Sequence, residues 1–101
     1  MKNMIARTAE FVVKNGKLNV VKDAIDQFVR TVHVSEPGTP IYISLQDEEN
    51  EFKFLHFMVF ESEGAEQKHH GAVYTQKFVE ILYPNCKKEP VHKKFKYVGG
   101  L

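Results

Sequence analysis

The segment from Glu51 to Glu61 constrains this chain most, because it is apolar on both sides of an extended strand. Successive side chains of a strand point to opposite faces. One face carries Phe52, Phe54, His56, Met58 and Phe60, and the other carries Lys53, Leu55, Phe57 and Val59. A large apolar patch is unusual on the surface of a soluble monomer, so this strand requires cover on both sides.

The flanking segments say what could provide it. Ile41, Ile43 and Leu45 alternate with Tyr42, Ser44 and Gln46, the two-residue period of a strand with one buried face. The polar, acidic stretch from Gln46 to Asn50 joins it to the apolar strand as a hairpin. Upstream, residues 4–13 are rich in strand formers and end at the turn signal Asn15-Gly16. Leu18, Val21, Ile25, Phe28 and Val32 then recur at helical spacing, predicting a helix over roughly 17–34 that the prolines at 37 and 40 terminate. Ser62 can cap a second helix, with Glu63 and Glu66 in its first turn. That helix is expected to bend near His70-Gly71, resume through Tyr74, Phe78, Ile81 and Leu82, and end before Pro84. The tail from about Val91 to Val98 reads as a last strand with one wetted side.

The order β-α-β-β-α-β is that of an α+β, ferredoxin-like fold, a four-stranded antiparallel sheet with both helices on one face. A chain of 101 residues suits one domain, spanning 1–101. Its helices leave the other sheet face open, and a second copy related by a two-fold axis is the simplest cover, which would make a homodimer. The alternative is that the loops and the C-terminal tail fold over that face.

Fourteen Lys and Arg against thirteen Asp and Glu give a net charge of +1, too weak a field to favour nucleic acid or an anionic membrane. A lone Cys86 excludes an intramolecular disulfide, and no signal segment or long apolar span opens the sequence, so a cytoplasmic location is expected. Lys87 and Lys88 beside Cys86 could lower its thiol pKa, although a passive loop cysteine is the simpler reading. No phosphate loop, nucleophile elbow or paired-ligand spacing occurs, and no metal is expected.

Two stretches carry a resemblance. Glu36-Pro37-Gly38-Thr39 followed by Tyr42, and Phe60 to His69 followed by Phe78, resemble the acidic-Pro-Gly segment and the aromatic-Glu, Ala, His pattern of the antibiotic biosynthesis monooxygenase family, which includes quinol monooxygenases and other dimeric α+β barrel proteins. The sequence has no tryptophan, the mark of the heme-degrading branch. Some branches also use an asparagine near the start of the first strand; Asn3 lies slightly early for it, and Ala6 or Arg7 occupies the expected depth.

The resemblance implies oxygenation without metal, flavin or other cofactor. Such chemistry needs a substrate that can itself donate an electron to dioxygen, a quinol or polycyclic phenol, and a base to deprotonate it. Histidine suits proton abstraction near neutral pH. His69 matches the family's helix histidine and is the first candidate; without that match it reads as a surface histidine beside Gly71. His56, among phenylalanines on one strand face, is the second; its alternative is a core histidine bonded to a backbone carbonyl or a dimer contact. Tyr42 and Tyr74 could hydrogen-bond the substrate, with Phe54, Phe60 and Phe78 as walls, and each could equally be ordinary core. A non-catalytic homodimer binding a small aromatic ligand in the same pocket is the competing reading. RNA-recognition domains share the topology, and Phe52-Lys53-Phe54 invites comparison, but their basic glycine-containing consensus is absent.

Overall fold

The computed structural model describes residues 4–100; Asn3 lies outside the described residues. The elements follow in the order β1 (Ile5–Val12), α1 (Leu18–Ser35), β2 (Ile41–Gln46), β3 (Lys53–Phe60), α2 (Glu63–Gly71), α3 (Val73–Leu82) and β4 (Val91–Lys96), with a 3-10 turn at Tyr83–Asn85 before the last strand. The sheet is fully antiparallel in the order β2-β3-β1-β4, the ferredoxin-like arrangement.

Local chemistry accounts for the boundaries. Gly16 takes the left-handed φ of 82° that closes the turn after β1. Asp47 Oδ1 accepts from the backbone N–H groups of Glu49 and Asn50 at 2.7 and 3.1 Å, which shapes the β2-β3 hairpin. The Ser62 hydroxyl accepts from Ala65 N at 3.1 Å and caps α2, and Glu63 and Glu66 lie in its first turn. Ala72, with extended dihedrals, separates α2 from α3 at the expected bend.

The helices pack on the face formed by Ala9, Phe11, Phe54, His56, Met58 and Phe60. Val21, Ile25, Phe28 and Val32 point inward from α1, and Phe78 and Leu82 from α3. Phe28 and Phe78 stack with ring centroids 4.3 Å apart, and Phe11 stacks on Phe54 at 5.5 Å.

Register settles which side each strand residue takes. Ile41, Ile43 and Leu45 pair with Val59, Phe57 and Leu55, so the apolar stripe of β2 faces away from the chain's own helices and Tyr42 faces toward them. The expectation of a covered stripe on β2 is therefore corrected within one chain, where Ile43 and Leu45 are exposed. The last strand differs too. All of Val91–Lys96 is exposed, including Val91 and Phe95, because β4 is an edge strand and its apolar side belongs to the open sheet face. Ile43, Leu45, Val91 and Phe95 thus remain exposed on that face, while Ala6 and Val59 at its centre are buried.

Candidate active site

A cavity of about 370 Å³ lies between the helix-bearing sheet face and the helices, within the range typical of small-molecule sites. Phe11, Phe28, Met58, Phe78 and Leu82 supply apolar wall, and Tyr42, His56, His69 and Thr75 supply polar groups. Arg7, Glu66, His70, His92, Lys93 and Lys94 bring charged or titratable groups to it.

The organising group is Glu36, which follows α1 and is only 3% exposed. Its carboxylate accepts from Thr39 Oγ1 at 2.7 Å and from the Tyr74 hydroxyl, and both its oxygens lie 3.0–3.1 Å from His69 Nδ1. A carboxylate can only accept, so Nδ1 of His69 carries the proton and Nε2 keeps the lone pair. The Pro-Gly sequence after Glu36 is what allows this meeting. Glu61 N donates to Gly38 O at 2.9 Å, and a Cβ at Gly38 would lie 2.9 Å from the Ala65 side chain, so only glycine lets the loop sit this close to α2.

His56 has the opposite arrangement. Its Nδ1 is 2.9 Å from the Tyr42 hydroxyl, while its Nε2 is buried without a partner. The rings of His56 and His69 flank Tyr42, each with its centroid 5.5 Å away. Burial pushes the His56 pKa down to about 4, and it also lowers His69 against the opposing pull of the Glu36 and Glu66 carboxylates. Burial, with Glu36 adding to it, pushes the Tyr42 phenol up and raises Tyr74 to about 12, so both hydroxyls keep their protons. Arg7 Nε donates to Glu66 at 2.8 Å, a pair that spans β1 and α2 at the cavity.

The two depressed histidines set a pH window for stability. Above about 6.5, histidine is neutral in both folded and unfolded chains; as pH falls below that value the unfolded chain protonates first, and stability is lost until folded His56 titrates near 4. For His56 alone the loss amounts to roughly 3 kcal/mol. Urea midpoints measured across this window should fall for the native sequence and fall less steeply for His56→Gln; parallel slopes would refute the assignment.

Four of the seven residues singled out from sequence line the cavity: Tyr42, His56, His69 and Phe78. Three do not. Phe54 is stacked on Phe11 in the core, Phe60 is fully buried behind His69 with centroids 5.2 Å apart, and Tyr74 is turned to Glu36. Phe54 and Phe60 share the strand face of His56 and Met58 but lie in the layer behind the cavity surface. His69 is buried rather than on the surface, and His56 bonds a tyrosine rather than a backbone carbonyl. Sequence reasoning gave no role to Glu36, Thr39 or Thr75. Glu36 was signalled by its place before Pro37-Gly38, whereas nothing in the local sequence marks Thr75. Cys86 is buried beside Val13, and burial pushes its thiol up despite the opposing charge of Lys14, which agrees with a passive cysteine rather than one activated by lysine.

Among the described residues no group of three or more His, Cys, Asp or Glu side chains is placed to hold a metal ion, and no helix is long and apolar enough to cross a membrane.

A ferredoxin-like sheet carrying an apolar cavity with a carboxylate-held histidine defines a class of small α+β domain. The sequence model of the antibiotic biosynthesis monooxygenase family matches residues 4–81, and the chain belongs to that family. This gives it a general monooxygenase-like character. Among curated proteins none matches the sequence. The fold is that of a Caulobacter crescentus structure named for the same family, with a TM-score of 0.90 at 20% identity over 97% of this chain and 92% of that one. A Nitrosomonas europaea structure, also named for the family, gives a TM-score of 0.89 at 13% identity over 97% and 93%. A conserved protein from Methanosarcina mazei gives 0.87 at 18% identity over 94% and 93%.

Proposed function

We propose that this protein is a cofactor-independent monooxygenase that oxidises a quinol or polycyclic phenol with dioxygen, and that His69 is the base. The observation that carries this reading is the Glu36–His69 contact at the cavity. Glu36 holds Nδ1–H and so presents a neutral imidazole whose Nε2 can take a phenolic proton, the orientation a general base requires. Glu36 also stabilises the imidazolium that forms. Depression of the His69 pKa keeps it in the base form at neutral pH, with Glu36, Glu66 and His70 as the charged or titratable neighbours that modulate it. The resulting anion reduces dioxygen; one oxygen atom enters the ring and the other leaves as water, so a quinol ends as a hydroxyquinone. Oxygen-electrode assays on a panel of quinols, without added metal or flavin, test this. Uptake matched to product is expected, and an inert protein that still binds aromatics with His69→Ala would favour a ligand-binding role.

The active form is a homodimer. Ile43, Leu45, Val91 and Phe95 are each more than two-fifths exposed on one sheet face, and a second copy packed there would cover them and the outward side of β3. Light scattering should give twice the 11.7 kDa chain mass. Leu45→Glu, which places a charge in the middle of that face, should shift the protein to monomer; a native chain that runs as a monomer refutes the assembly.

A further inference from the structure

Among the described residues two buried side-chain polar atoms lack a hydrogen-bond partner, His56 Nε2 and Thr75 Oγ1, and both residues line the same cavity. His56 is 1% exposed and Thr75 is 6% exposed. Native proteins retain few such atoms, because an unpaired polar group at that depth has given up water without replacement. Two of them on one cavity mark where a polar atom of a ligand belongs.

Their polarity can be read from the surrounding bonds. If His56 donated Nδ1–H to Tyr42, the phenolic proton of Tyr42 and the lone pair at Nε2 would both be left over. If Tyr42 donates to Nδ1, only Nε2–H remains unpaired. Tyr42 keeps its proton, so the second arrangement leaves fewer orphans, and His56 presents an N–H donor. Thr75 lies in the first turn of α3, where a helical threonine ordinarily spends its hydroxyl on a carbonyl one turn back. Here it does not: Ala72 O accepts from Thr75 N and Gln76 N, each at 3.1 Å, and the hydroxyl stays free to donate. The two histidines are thus opposite in character, His69 an acceptor at Nε2 and His56 a donor.

We infer that His56 Nε2–H and Thr75 Oγ1–H form an oxygen-binding subsite, and that the ligand is a conjugated aromatic bearing two oxygens, one hydroxyl presented to His69 and a second oxygen held by this donor pair. The inference rests on the cavity being an aromatic-substrate site. When His69 takes the proton from the first oxygen, no bond to dioxygen has yet formed, and the negative charge spreads through the ring onto the second oxygen. Donors already fixed around that oxygen stabilise the charge without reorganising. Neutral His56, resistant to protonation until about pH 4, acts here as a hydrogen-bond donor and not as a second base.

Equilibrium binding separates this from turnover. Para-hydroxyacetophenone carries a hydroxyl and a conjugated carbonyl; para-ethylphenol has the same carbon skeleton without the second oxygen. Calorimetric titration of the native protein should favour the hydroxyketone about tenfold or more, since a site built around polar groups rejects a ligand that leaves them unpaired. Thr75→Val, nearly identical in volume, should remove most of that preference and leave para-ethylphenol binding unchanged. Nitrogen NMR should find His56 protonated at Nε2 and His69 at Nδ1. Equal affinity for the two phenols, a preference that survives Thr75→Val, or His56 protonated at Nδ1 would each overturn the subsite. A pair satisfied by an ordered water only would show the first of these together with a Thr75→Val variant less stable than the native protein. Failure of both phenols to bind would overturn the aromatic-site reading along with the subsite, whereas preference without oxygen uptake would uphold the subsite and count only against the reaction.

Discussion

His69→Asn should lower kcat/KM for a quinol by roughly 10²–10⁴-fold, the contribution of a positioned general base. Asparagine is chosen because its amide nitrogen stands where Nδ1 of the histidine does, which keeps the Glu36 carboxylate occupied while the proton-abstracting nitrogen is removed. Melting temperature and affinity for a non-reactive phenol should therefore change little, and the defect should sit in kcat. Steady-state oxygen consumption together with a binding titration reads both quantities. Undiminished turnover would show that another group takes the proton and would remove His69 from the mechanism.

Glu36→Ala should be the most destabilising single substitution at the site. The carboxylate is the shared acceptor for Thr39, His69 and Tyr74, and its loss strands three donors at the base of the helices. Breaking a buried charged network from one side costs about 3–5 kcal/mol. For a chain of this size that corresponds to a fall in melting temperature of roughly 15–30 °C. Glu36→Gln, which retains one acceptor oxygen but directs an NH₂ group at the same donors, should fall between the native protein and the alanine variant. Thermal denaturation followed by circular dichroism checks the order, and an alanine variant as stable as the native chain would mean that this network does not organise the site.

The resemblance to a known family pointed to His69 and drew on Glu36 and Tyr42, and the strand pattern put His56 on an apolar face, yet nothing in the sequence joined Glu36 to His69 or Tyr42 to His56. Glu36 lies thirty-three positions before His69, and it is the Gly38–Ala65 contact that brings the two segments together. The phenylalanines make the same point from the other side. A period of two places Phe54, His56, Met58 and Phe60 on one face, but depth beneath the helices decides which of them meet the cavity, and only His56 and Met58 do.

The order of elements and the turns and caps between them were legible along the chain, because these depend on near neighbours and on period. Tertiary structure alone decided that the β2 stripe faces outward, that Tyr42 and Glu36 impose opposite tautomers on two histidines, and that Thr75 has an unspent hydroxyl. Each of those follows from strand register or from contacts between residues distant in the chain. Hydrogen-bond partners at that separation are chosen by how the layers pack, and spacing along the chain does not encode them.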